Sequence, residues 1–426
     1  MGVSVIKQAA KKSSGKDPEL LEAVAAIIGR VRDEGEKALL DLTEKFDRVS
    51  LETVSVDSDT VARAYRDIPE ETLKHLRFAV SRIRAFAKKQ LECIKPLHYK
   101  SGIPGVELGH RLIPVDRCGC YVPAGRHPLP SSALMSIAAA KVAGVGCVAA
   151  CSPPSPAHGG IHPAVLAAMD IAGADAVYCM GGAQAVAAYA YGAGPVLKTD
   201  LIVGPGNRYV TEAKRQVSGD VGIDGLAGPS EVLIIADETA NPRFIAIDLL
   251  SQAEHDPDAK PVLVSTSAAV IGQVQKEVEK LLAGLLTKET AALAWNNNGA
   301  VYFADTIGDA VSLANEIAPE HLELQVASEK ERETVEKLKH YGSLFVGRYA
   351  PVAFGDFVSG TNHILPTMST ARYSSGVWAG TFIKTSFHQY VSREGCAALA
   401  ESAMYFAEIE GLPAHRDSVR LRIEEG

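Results

Sequence analysis

The sequence contains no basic stretch long enough to follow a phosphate backbone. Its 43 Lys and Arg are outnumbered by 51 Asp and Glu, for a net charge of −8. That balance argues against nucleic acid or an anionic membrane surface as a partner. Long apolar runs are missing too. The most membrane-like segment, SSALMSIAAAKVAGVGCVAAC, is rich in Ala and Gly, interrupted by Lys141 and followed by Ser and Pro, so no membrane span is expected. The N-terminus, MGVSVIKQAAKKSSGKDPELLEAV, lacks the apolar centre of a secretion signal. No Cys-x-x-Cys pair occurs. The seven cysteines (Cys93, Cys118, Cys120, Cys147, Cys151, Cys179 and Cys396) are odd in number and mostly set in apolar stretches. Buried thiols in a reducing, cytoplasmic setting explain them better than disulfides or a thiolate metal site.

What is present is a chain of 426 residues, 47% hydrophobic, too long for one simple core. Its first hundred residues read as helical. Asp17-Pro18 is an N-cap with proline at the first helical position, and Leu20, Leu21, Val24, Ile27, Ile28 and Val31 recur at helical spacing. A second amphipathic run opens at Pro69. From about residue 115 short apolar strands alternate with Ala-rich helices. GCVAACSPPS, DAVYCMGG and DLIVGPGN form one series, and SEVLIIADE, KPVLVSTS and GAVYFADT a second. Continuous apolar strands separated by helices predict parallel sheets covered on both faces. AGPSE, at 227–231, reads as the crossing between two such units, and the tail from about 371 as helical and polar.

Several stretches could carry chemistry. The turns Gly181-Gly182 and Gly204-Pro205-Gly206 each follow an apolar strand and open a helix, a geometry that suits phosphate, although neither forms the G-x-G-x-x-G fingerprint. Gln184 and Asn207 just beyond them are ligand contacts or helix caps. Glu320-His321 follows Pro319, which should break the helix there; the pair suits general acid–base work or is a solvated helix start. GDFVSGTNHILPT crowds Asp356, Ser359, Thr361, Asn362 and His363 into one loop. At the end of an apolar helical run, Gln252 and His255 stand three apart and so share a face. With Asp356 and His415 they offer mixed N/O donors of the kind zinc accepts.

Taken in order, CYVPAGRHPLPSSALM, GGAQAVAAYAYG, IVGPGNRYVTEAKRQV, GIDGLAGPSEVLIIAD, DLLSQAEHDPDA, APEHLEL, GDFVSGTNHILPT, ARYSS and EGLPAH resemble the histidinol dehydrogenase family over nearly the whole chain. The resemblance implies a zinc- and NAD-dependent oxidation of L-histidinol to L-histidine through the bound aldehyde, with two NAD. It implies zinc ligands Gln252, His255, Asp356 and, from a partner subunit, His415. Glu320 and His321 match the family's acid–base pair, Ser230, His363 and Glu410 its substrate contacts, and Tyr121, Gln184 and Asn207 its NAD contacts. It also implies an α/β fold of two incomplete Rossmann-like parallel-sheet domains, one inserted in the other, with N-terminal helices and a helical C-terminal tail. The expected division is an N-terminal segment 1–20, a discontinuous domain of 21–120 and 232–370, an inserted domain 121–231, and a tail 371–426 exchanged in a homodimer.

Two blocks depart from the pattern. Pro123-Ala124-Gly125 stands where Pro-Gly-Gly is expected, and Arg126-His127 follows where small residues are usual. Downstream of ARYSS, GVWAGTFIKTSFHQY brings Trp378 and no Asp. A cation at Arg126 or His127 would suit an anionic substrate. The alternative is therefore the same chemistry on 2,3-dihydroxypropane-1-sulfonate, giving sulfolactate. The acidic Glu410 favours the cationic alcohol histidinol.

Overall fold

The computed structural model describes residues 2–10, 17–124 and 127–425. Among the described residues the strands, in chain order, are β1 (Val3–Lys7), β2 (Leu97–Lys100), β3 (Val106–Pro114), β4 (Arg117–Tyr121), β5 (Cys147–Ser152), β6 (Ala176–Cys179) and β7 (Leu201–Val203). They continue with β8 (Gly222–Ile223), β9 (Glu231–Ala236), β10 (Lys260–Ser265), β11 (Ala300–Ala304), β12 (His321–Gln325), β13 (Ser343–Val346) and β14 (Ile383–Val391).

The smaller parallel sheet has the order β6-β5-β4-β7-β8. The larger has β11-β10-β9-β12-β13 parallel, with β1 added antiparallel at its edge. Counted from its own first strand, each parallel set runs third, second, first, fourth, fifth. This is the dinucleotide-fold order without its last strand, in agreement with the expected pair of incomplete Rossmann-like units. A third, antiparallel sheet, β14-β3-β2, stands apart from both.

The membrane-like stretch of the sequence turns out to be a helix, Pro130–Ala143, and the strand β5 after it. That helix is apolar on nearly every side because it lies between the smaller sheet and the helix Glu70–Glu92, and a helix apolar all round is one that is covered all round. Among the described residues no helix is long and apolar enough to cross a membrane. The N-terminal helices pack mainly against the smaller sheet's helices. Pro18–Glu34 meets Gly182–Tyr191 and Arg208–Val217, while Ser58–Asp67 meets Pro163–Ala172. Their apolar stripes fit the Ala-rich faces those helices present. Gly119, in β4, is required by packing: a Cβ there would stand 2.6 Å from the fully buried ring of Tyr189.

The tail differs from its reading as helical. After two short 3-10 turns, Thr370–Arg372 and Ala379–Phe382, it forms β14, nine residues paired along the whole of β3, and only then the helices Arg393–Ile409 and Pro413–Glu424. These two helices pack on each other. They leave Tyr405, Phe406 and Ile409 at least 60% exposed, and the last helix buries no residue.

Candidate active site

The candidate residues lie at opposite ends of the strands in the two sheets. Tyr121 and the turns at 181–182 and 204–206 follow the carboxyl ends of β4, β6 and β7. Ser230 and Glu320 precede the amino ends of β9 and β12, which are hydrogen-bonded neighbours with His321 opposite Val232. The helix Pro242–Ala253 returns from the carboxyl end of β9, so its last turn, with Gln252 and then His255, comes back to the amino edge. The short helix Val352–Phe357 makes the same return after β13 and carries Asp356.

Local backbone chemistry sets the Glu320-His321 pair. The helix Ile307–Ile317 closes on Ala318, whose φ of 52° is left-handed. Pro319 follows and has no N–H to continue a helix. The chain therefore re-enters as a strand rather than as the solvated helix start that the sequence also allowed, and Glu320 and His321 are only 7% and 4% exposed. Glu320 Oε2 accepts the Glu231 N–H at 2.8 Å. His321 Nδ1 lies 3.0 Å from the Glu231 carbonyl oxygen. A carbonyl can only accept, so Nδ1 carries hydrogen and Nε2 is the ring's basic position. Nε2 is buried without a hydrogen-bond partner and stands 3.5 Å from Asp356 Oδ1. Burial alone would lower the His321 pKa, but the carboxylates of Glu320 and Asp356 outweigh it and hold the imidazole well above its usual range.

His363 joins the same cluster. Its Nδ1 donates to the Asp356 carbonyl oxygen at 2.8 Å, and Nε2 lies 3.2 Å from Ser132 Oγ. Burial lowers its pKa, so it is neutral and Nε2 accepts from the Ser132 hydroxyl. Ser132 begins the helix after β4, so this bond, with Asn362 Nδ2 to the Met135 carbonyl at 2.9 Å, fastens the loop of the larger unit to the carboxyl edge of the smaller one. Gly228 N–H to Thr367 Oγ1 at 2.6 Å and Met368 N–H to Glu231 Oε1 at 3.2 Å secure the loop's far end. Neither Ser132 nor Glu231 had been singled out from sequence. Glu231 directly follows Ser230, but nothing in an apolar strand start signals that its side chain turns toward a distant loop.

Gln252 is 2% exposed, and no described residue hydrogen-bonds its amide. An amide engaged by no neighbouring group is available to ligate through its oxygen. His255 is exposed. The Asp356 pKa is lowered: burial opposes the shift, and the hydrogen bond and charge of His321 outweigh it. Among the described residues no three His, Cys, Asp or Glu side chains gather closely enough to hold a metal. The Gln252 amide, the His255 imidazole and the Asp356 carboxylate are donors of the types that zinc accepts. His415 and Glu410 are not brought to this cluster. Both are exposed, His415 on the final helix and Glu410 at the end of the helix before it.

At the opposing edge the Tyr121 hydroxyl accepts the Gly182 N–H at 3.2 Å. Asn207 Oδ1 caps its helix by accepting from Tyr209 and Val210. Gln184 is 2% exposed, with its amide oxygen close to Gly182. Gly204 lies so close to β4 that a Cβ would sit 2.1 Å from the Tyr121 carbonyl oxygen. Beneath that turn, Lys214 and Asp224 form a buried ion pair; Lys214 Nζ also donates to the Gly204 carbonyl at 3.1 Å, and Asp224 Oδ2 accepts the Gly204 N–H at 2.8 Å. A cavity of about 290 Å³ opens beside it, between Pro205, Ala227 and the loop Ile364–Met368. Of the two cations noted from sequence, His127 is exposed and Arg126 lies outside the described residues.

The histidinol dehydrogenase family profile matches residues 10–423. The chain belongs to the histidinol dehydrogenase family. Membership makes it an oxidoreductase by family, and the ordered motifs of the sequence are thereby accounted for. A protein named histidinol dehydrogenase from Methanosarcina mazei is 43% identical over 401 residues, covering 94% of this chain and 91% of its own. One from Clostridium acetobutylicum is 40% identical over 418 residues, covering 98% and 96%. A protein from Shouchella clausii named histidinol dehydrogenase homolog is 40% identical over 421 residues, covering 98% of each chain. The crystal structure of histidinol dehydrogenase from Elizabethkingia anophelis superposes with a TM-score of 0.91 at 35% identity, covering 98% of this chain and 94% of that one.

Proposed function

We propose that this member of the family oxidises L-histidinol to L-histidine through a bound aldehyde, using two NAD and a zinc ion, as a cytoplasmic homodimer. The observation that carries the proposal is the buried Glu320–His321–Asp356 cluster, in which His321 Nε2 has no hydrogen-bond partner and stands 3.5 Å from Asp356 Oδ1. Gln252, His255 and Asp356 would hold zinc, with His415 from a partner subunit as the fourth donor. When bound, zinc would fix the substrate's imidazole and amine and polarise its reacting oxygen.

Asp356, committed to the metal, would no longer hold a proton on His321, whose Nε2 would be placed to accept the alcohol proton. Glu320, held by the Glu231 N–H, is placed to activate the water that adds to the aldehyde before the second hydride departs. Ser230, His363 and the partner's Glu410 would orient the substrate, the last meeting its ammonium group. Tyr121, Gln184 and Asn207, with the glycine turns, would seat NAD. The exposed aromatic residues of the tail helices support a dimer in which that tail is covered, since contiguous apolar surface marks interaction sites.

The test is a stoichiometric assay. Two NADH per histidinol are expected, abolished by a chelator and restored by zinc. A yield of one, or no turnover by zinc-loaded protein, would remove the proposal. Turnover of 2,3-dihydroxypropane-1-sulfonate in preference to histidinol would transfer it to the anionic diol.

A further inference from the structure

A polar ladder runs along one face of β12 behind the candidate site. A central parallel strand is ordinarily apolar on both faces, yet HLELQ alternates, placing His321, Glu323 and Gln325 on one side. Two helices meet that side. Asp248 and Gln252 stand four apart on Pro242–Ala253, as do Val352 and Asp356 on and within Val352–Phe357. Two strand residues advance about 7 Å and four helical residues about 6 Å, so the three elements keep step over two levels. His321, Asp356 and the Gln252–His255 helix end make the first level; Glu323, Asp248 and Val352 make the second.

At the second level Glu323 is fully buried. Its Oε1 accepts the Val352 N–H at 3.4 Å, while its buried Oε2 has no donor. The neighbour on the remaining side is the Asp248 carboxyl group. Burial, and then the charge of Asp248, push the Glu323 pKa well above the carboxylate range, and burial lifts Asp248 to about 6. The Gln325 side chain also reaches the Glu323 carboxyl group.

We propose that Glu323 is a positioning residue: by holding Asp248 of one helix and Val352 of the other on a single carboxyl group, it fixes the separation between Gln252 and Asp356 one level below. The consequence for metal affinity rests on the zinc assignment proposed above, whereas the mechanical part does not.

Two variants and two readouts test it. Glu323→Gln keeps an oxygen for the Val352 N–H and gains an N–H for Asp248, so it should behave as the parent. Glu323→Leu lacks both bonds, and Glu323→Leu with Asp248→Leu removes both acids in case the single change folds poorly. In metal-free protein, backbone amides 352–357 are expected to exchange with solvent about tenfold or more faster in the Leu variants than in the parent or E323Q. Zinc affinity, by competition with a chromogenic chelator, should fall about 10- to 100-fold in the Leu variants, the range for groups that orient ligands, with NAD affinity unchanged. Equal exchange in the parent and both Leu variants overturns the proposal, as does an E323Q protein that behaves like E323L. A parent that binds no zinc overturns the metal assignment instead, and the exchange data still decide the role of Glu323.

Discussion

The buried ion pair under the Gly204 turn gives a prediction whose size follows from the geometry. The Lys214 and Asp224 side chains are 3% and 4% exposed. Lys214→Met keeps the length of the stem but leaves the Asp224 carboxylate in the interior with only the Gly204 N–H to meet it. Breaking one side of a buried pair costs about 3–5 kcal/mol, chiefly because the remaining charge is uncompensated. Lys214→Met with Asp224→Asn removes that charge, and an asparagine oxygen still accepts the Gly204 N–H. The double variant should then lose only the hydrogen bonds of the ammonium group, about 1–2 kcal/mol. Urea denaturation of the three proteins, followed by far-UV circular dichroism at one pH, measures both values. The double variant is expected to be about 1–4 kcal/mol more stable than the single one by this difference. A double variant no more stable than K214M would refute the reasoning, because it would show that packing of the lysine stem, rather than an unmatched charge, sets the cost.

Other expectations follow from the site and its surroundings. Replacing His321 by Asn should lower kcat by about 10² to 10⁴ with both hydride steps affected, while Glu320→Gln should mainly slow oxidation of added aldehyde; single-turnover NADH formation from alcohol and from aldehyde separates them. Asp47, lifted to about 6 by burial, binds its proton more tightly in the folded state than in the unfolded one, so its contribution worsens as pH rises from the unfolded value through 6. Asp47→Asn should therefore stabilise the protein on the order of 1–2 kcal/mol at pH 7.5, with the advantage vanishing below about pH 4; denaturation curves at the two pH values check it. Truncation after Val391 should convert a dimer to a monomer by light scattering and abolish turnover without unfolding the two parallel sheets.

The α/β architecture was legible because buried parallel strands announce themselves. SEVLIIADE, KPVLVSTS and GAVYFADT each contain a strand of the larger sheet, and AGPSE is the crossing between sheets. The elements missed lack that signal. Val3–Lys7 is a half-exposed edge strand, β2 is wholly exposed, and β14 is nine residues of mixed polarity that only its partner β3 makes into a strand. HLELQ was passed over because its alternating pattern does not look like a central strand, yet that alternation was the one available sign of a polar face turned toward two helices. Within the site, the adjacency of Glu320 and His321 was plain, but their burial was not. It comes from Pro319 and the neighbouring strand β9. The approach of Asp356 to His321 could not be read from spacing, since it depends on two helices returning to the same edge. The assignment of Glu410 came from resemblance alone and that of His415 from donor type and resemblance, and in a single chain both remain at the surface.

The opposed edges have one further consequence. Groups suited to a dinucleotide belong to one layer and groups suited to the alcohol belong to the other, joined through a few loop bonds such as Ser132 to His363. On the proposed chemistry, each carrier of electrons can then enter and depart by its own doorway while the half-oxidised molecule stays gripped from across the gap. A reactive aldehyde need never meet bulk solvent between the two rounds.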